Sequence, residues 1–188
     1  MNRRTLLAWL SRGLGSASAA LVGIPGLWHL VRSLRPDVAA AGSFQRLLRL
    51  DDLPPEGQPV EVPVVGARRD AWITYPEQTL GRVWLVRLSA VEGAADPVRV
   101  AAFTAICPHL GCAVQMDRSG RGFLCPCHRA TFDLQGQRTK STGEANSSPR
   151  DMDQLECRVV QDAGSAVWWV EVRYQTFKNG LASKIAIT

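Results

Sequence analysis

The sequence predicts an antiparallel all-β domain behind a single apolar N-terminal segment, and three features of its 188 residues predict this. From Phe44 onward the chain is a succession of short runs rich in β-branched and aromatic residues, each closed by turn-forming residues. Two of these runs, Val83-Trp84-Leu85-Val86 and Val167-Trp168-Trp169-Val170, are continuously apolar, as strands covered on both faces should be. Ahead of them, residues 13–30 carry no formally charged side chain, 18 residues that would extend about 27 Å as a helix and just span a bilayer.

Taken in order, residues 1–31 read as a signal or transmembrane anchor. Asn2-Arg3-Arg4-Thr5-Leu6-Leu7 resembles a twin-arginine export signal, a route for proteins that receive their cofactor before translocation. Small residues between Gly13 and Ala20 suit a cleavage site, so a cleaved signal and a retained anchor both fit; the apolar run continuing through Leu21, Val22, Ile24, Leu27 and Trp28 favours the anchor. Arg3, Arg4 and Arg12 before the span, against Arg32 and Arg35 after it, weakly favour a cytoplasmic N-terminus. The small residues also permit close packing against a larger membrane subunit. His29, at the edge of the span, is read as interfacial and given no function. A net charge of +5 spread along the chain, without a basic aromatic platform, points to a membrane surface and not to nucleic acid.

Residues 32–43 lack strand alternation and contain Pro36 and Gly42, so they read as a tether. The head, 44–188, has strands expected at 44–50, 59–65, 71–75, 82–89, 98–106, 112–116, 122–125, 130–134, 155–161 and 166–173. The two apolar runs are read as core. In the alternation Leu155, Cys157, Val159, the cysteine faces inward as a small hydrophobe. The last fifteen residues carry no readable pattern.

Chemistry concentrates in residues 105–150. Cys107-Pro108-His109-Leu110-Gly111-Cys112 is followed, after a connecting stretch, by Cys125-Pro126-Cys127-His128. Fifteen residues separate His109 from Cys125, room for two strands and a turn around Ser119-Gly120, so that the two loops face each other at one end of a hairpin. Each loop offers one thiolate and one imidazole. Zinc accepts such a set, but zinc fingers pair like with like, and a structural zinc site leaves Cys112 and Cys127 without a purpose. A [2Fe–2S] cluster with two thiolates on one iron and two imidazoles on the other uses the mixed pattern directly.

These two boxes resemble those of Rieske iron–sulfur proteins. The resemblance implies an antiparallel Rieske-type sandwich with a small cluster-binding subdomain. Cys107 and Cys125 would hold one iron, His109 and His128 the other, and Cys112 with Cys127 would form a disulfide tying the loops together. That bridge marks the quinol-oxidising branch, as in cytochrome bc complexes, and a disulfide places the head in an oxidising compartment, here the periplasmic face of a bacterial inner membrane. The branch further implies that His128, with His109 beside it, accepts the quinol hydrogen bond. Leu110 makes apolar contact at the docking tip, a cytochrome b-type membrane subunit is the neighbour and a c-type cytochrome the acceptor. A proline-bearing third loop would bring Ser148-Pro149 over the cluster. Ala130 and Phe132 stand where high-potential members have Ser and Tyr, which implies a low potential and menaquinol; Arg129 stands where they have Gly. The small subunit of a periplasmic molybdenum oxidase such as arsenite oxidase shares this layout, and a membrane-anchored zinc module is the alternative of another class.

Overall fold

The computed structural model describes residues 2–33, 43–55, 57–69, 73–88, 98–140 and 145–187. The N-terminal helix and the β-rich head are distinct units. Helix α1 (Arg3–Ser33) starts ten residues before the uncharged stretch, with Asn2 accepting from the Thr5 and Leu6 amides at 3.0 and 3.1 Å. By length and composition it can cross a membrane. Its side chains from Arg3 to Val31 are exposed all round, so nothing in the unit covers Leu14, Leu21, Ile24 or Trp28. Pro25 lies inside it, as helices surrounded by lipid tolerate. Residues 34–42, most of the expected tether, lie outside the described residues.

The head contains β1 (Phe44–Arg49), β2 (Val60–Arg69), β3 (Thr74–Leu88), β4 (Arg99–Thr104), β5 (Gln115–Met116), β6 (Gly122–Cys125), β7 (Ala130–Asp133), β8 (Gln154–Gln161), β9 (Trp168–Arg173), β10 (Thr176–Phe177) and β11 (Ala186–Ile187). One sheet has the order β1-β9-β8-β4-β3-β2, a second β5-β6-β7, and β10 pairs with β11. β8 changes partner along its length: Leu155 pairs with Ala102 of β4, and from Glu156 onward it pairs with β9. Pairing throughout these registers is antiparallel, so the expected all-β class holds.

The apolar run in β3 has a simple cause. Val83 and Leu85 enter one core with Val64, Ala102, Val170 and Val172, while Trp84 and Val86 enter a second with Phe103, Phe123 and Phe132. β3 and β4 are thus the wall shared by two cores, and each fully buried Val, Leu or Phe there contributes about 1.5–3 kcal/mol. The second core is the floor of the cysteine loops.

Several sequence expectations need correction. The short strands at 71–75 and 82–89 are one strand, β3, with residues 70–72 outside the described set. Of 112–116 only Gln115 and Met116 are strand, because the preceding residues are spent on closing a loop. The 167–170 run is core at Val170 alone: Trp168 is 42% exposed, and Trp169 is half-buried beneath the Arg46 guanidinium, 5.7 Å from its ring. Beside it Glu171 is buried but ion-paired to Arg158 at 2.8 Å and to Arg46 at 3.2 Å, which lets a carboxylate sit within a sheet. Cys157 is half-buried against the first core, and burial pushes its thiol up to about 12, as expected of a small hydrophobe. The β10–β11 pair occupies a stretch in which the sequence showed no pattern.

Candidate metal centre

Two loops leave the second core side by side. The first follows β4. Ile106 bridges Ala113, the Cys107 amide donates to the Cys112 carbonyl at 2.8 Å, and the Gly111 amide donates to the Cys107 carbonyl at 2.9 Å. Such a tight closure needs one left-handed residue, and Gly111 supplies it at φ 81°. The second loop joins β6 to β7, where Cys125 is paired with Ala130. It closes through Arg129 at φ 57°, the one non-glycine with positive φ among the described residues. A disulfide between Cys112 and Cys127, Cα–Cα 6.6 Å, ties the loops together as expected.

The expected ligands divide by depth. Cys107 is fully buried, Cys125 is 2% exposed, and both are free thiols. His109 is half-buried and His128 exposed, their rings 4.8 Å apart at 78°. Burial first, and then the neighbouring Cys125 sulfur, push the Cys107 thiol up to about 11, while the backbone amides of His109 and Leu110 donate to its sulfur and oppose the rise. Amides aimed at a sulfur suit the thiolate that a metal requires. The Cys125 sulfur also lies within 4.8 Å of the two bridge sulfurs, which, being oxidised, do not compete as ligands.

Leu110 projects at the tip, 62% exposed. Ala130 and Phe132 are buried on the side of β7 that faces Cys107 and Cys125. Thr131 faces the other way, its hydroxyl donating to the Thr139 carbonyl at 3.1 Å. The third segment does touch the second loop, through Ser147, whose hydroxyl donates to the His128 carbonyl at 3.0 Å. Ser148 is buried with its hydroxyl on the Arg150 carbonyl, and Pro149 is half-buried. Residues 141–144 of that segment lie outside the described set.

Sequence reasoning missed the residues beneath the first loop. Arg150 and Asp153 form a buried pair at 2.8 Å, and the Gly180 amide donates to the Pro108 carbonyl at 2.8 Å. The one available cue was Asn179-Gly180, a turn dipeptide in an otherwise patternless stretch. As a donor set, two thiols inside and two imidazoles outside on disulfide-tied loops fit a [2Fe–2S] cluster ligated unequally at its two irons. They fit zinc less well, because tetrahedral zinc has no use for that segregation by depth.

Comparison with known proteins agrees. The chain is 31% identical to the chloroplastic cytochrome b6-f complex iron-sulfur subunit of Pisum sativum over 77 residues, 40% of this chain and 31% of that one. It is 31% identical to the corresponding subunit of Prochlorococcus marinus (strain AS9601) over 75 residues, 40% and 39% of the two chains. The matches therefore span less than two fifths of these relatives' length. Among solved structures, the hyperthermophilic respiratory Complex III has TM-score 0.40 at 20% identity, covering 85% of this chain and 98% of that one. The quaternary ammonium Rieske monooxygenase CntA has TM-score 0.45 at 18% identity, covering 77% and 34%. The Rieske [2Fe-2S] domain profile matches residues 43–157, which takes in both cysteine loops and the segment beside them, and the chain accordingly belongs to the Rieske [2Fe–2S] family.

Proposed function

We propose that this chain is the membrane-anchored electron carrier of a cytochrome bc-type complex, taking one electron and a proton from a quinol, menaquinol on our reading, and passing the electron to a c-type cytochrome. The observation that carries the proposal is the segregation by depth: thiols sealed in the core, imidazoles at an exposed tip. When bound, a [2Fe–2S] cluster would supply reversible one-electron chemistry; Cys107 and Cys125 would hold one of its irons and His109 and His128 the other.

The chain's own residues do the rest. His128, the more exposed imidazole, accepts the hydroxyl hydrogen bond of the quinol, and its ring is where the proton is taken up. Leu110 offers apolar surface to the quinol ring and to the wall of a pocket on a cytochrome b-type subunit. The disulfide keeps the loops from splaying while the tip docks and leaves. It also favours an oxidising compartment, so the head stands on the periplasmic side with α1 as the anchor. On this reading residues 32–43 join the anchor to the head.

The test is purification from native membranes. Recovery with haem-bearing subunits and quinol-dependent reduction of the head would support the proposal. Recovery with a molybdenum subunit would replace it with the oxidase reading, and a colourless zinc protein would end both.

A further inference from the structure

Four hydrogen bonds converge on the guanidinium of Arg150, which is 8% exposed. Its Nε and Nη2 donate to Asp153 Oδ1 and Oδ2 at 2.9 and 2.8 Å. Nη2 also donates to the Lys178 carbonyl at 2.8 Å, and Nη1 to the Leu181 carbonyl at 2.5 Å. Those two carbonyls flank Asn179-Gly180. Between them Gly180, left-handed at φ 75°, turns its N–H onto the Pro108 carbonyl, the residue between Cys107 and His109. The Asn179 amide lies over the same turn: a Cβ on Gly111 would come within 2.6 Å of its Nδ2. On the other side, the Asp153 carbonyl accepts from the Thr104 amide at 3.0 Å, at the end of the strand that feeds the first loop.

We propose that Arg150 is a positioning residue, which through Asp153 and the carbonyls of Lys178 and Leu181 holds residues 178–181 as a clamp on the Cys107-Pro108-His109 turn and so retards loss of iron. The proposal rests on the ligand assignment above. A planar fork with five donors reaches a carboxylate and two carbonyls at once; an ammonium has the same charge but not that geometry. Charge and clamp are separable explanations, because the Arg150 cation is also felt by the Cys107 thiol.

The experiment compares the full-length native protein with Arg150→Lys and Gly180→Ala, the latter strained at its left-handed backbone while leaving Arg150 untouched. Iron release to a chelator is followed well below the unfolding temperature, together with hydrogen–deuterium exchange of peptides covering 106–111, 178–182 and, as a control, 154–161. Both variants should release iron roughly 10–100-fold faster, the range for loss of a group that orients a ligand. In both, the first two peptides should exchange faster together while the control is unchanged. Wild-type release rates in Arg150→Lys would show that charge alone suffices and overturn the clamp. Should that variant fail to fold, the native protein decides: rapid exchange of 178–182 with 106–111 protected would equally overturn it, and protection shared by the two would sustain it. A native protein without iron would instead refute the ligand assignment, leaving the clamp to be judged by the exchange alone.

Discussion

Replacing Ala130 by Ser and Phe132 by Tyr together should raise the midpoint potential of the cluster. Ala130 stands opposite Cys125 in the β6–β7 register, and Phe132 follows two residues later on the same buried face. Neither offers a hydroxyl. Thr131, the one hydroxyl-bearing residue of β7, has its own donated to Thr139, so it does not substitute. Reduction places negative charge on the sulfurs, and a donor aimed at them stabilises the reduced state selectively. Taking about 1 kcal/mol per donor as the difference between the two states, and about 59 mV per tenfold for one electron, each hydroxyl is worth about 40 mV and the pair about 80 mV. The native protein should then lie in the lower part of the Rieske span of about −150 to +300 mV. Arg129 opposes this with a positive charge, but it is exposed and screened. Potentiometric titration followed by EPR measures both values. A wild-type midpoint near the top of the span, or an unchanged double variant, would refute the reasoning and the menaquinol reading with it.

Other outcomes are expected. Cys112→Ala or Cys127→Ala opens a bridge across a sequence separation of 15 and should cost about 3 kcal/mol in denaturant unfolding, with the four ligands still able to take iron. Arg129→Gly removes a left-handed penalty of about 1–2 kcal/mol but adds about 0.5–1 kcal/mol of backbone freedom in the unfolded chain, so the same assay should show a gain of about 0.5–1 kcal/mol. Glu171 is held below the usual carboxylate range, first by its hydrogen bond from Arg158 and then by that from Arg46. Its stabilisation is present above the unfolded value of about 4.3 and lost as pH falls through the lower folded value, so the penalty of Glu171→Gln should be larger at pH 7 than at pH 3. Washing membranes with high salt should not release the full-length chain, since burial of α1 and not charge holds it; release by salt would argue for peripheral attachment.

What was legible in the sequence tracks how local its cause is. The two boxes could be read because ligand chemistry fixes residue type and spacing together, and the apolar run in β3 because a strand between two cores shows no alternation. The run at Val167 misled for a reason outside itself: Arg46 comes from β1 to cover Trp169, and a long-range cation leaves no mark on a local pattern. The clamp of residues 178–181 was hidden for the same reason. Its contacts are backbone carbonyls and amides, which every residue type carries, gathered by a single arginine some thirty positions earlier. The third segment meets the second loop through Ser147, one residue before the Ser148-Pro149 pair singled out in the sequence, since a proline marks a loop but does not say which neighbour's hydroxyl turns inward.

The central claim is that Cys107 and Cys125 hold one iron while His109 and His128 hold the other. EPR with nitrogen-resolved ENDOR on the reduced protein tests it most directly. The account predicts two iron and two sulfide per chain, with couplings from two imidazole nitrogens, and loss of the mixed-ligand signal in both His109→Ala and His128→Ala. Bound zinc without sulfide, or a cluster signal that survives either histidine substitution unchanged, would contradict it.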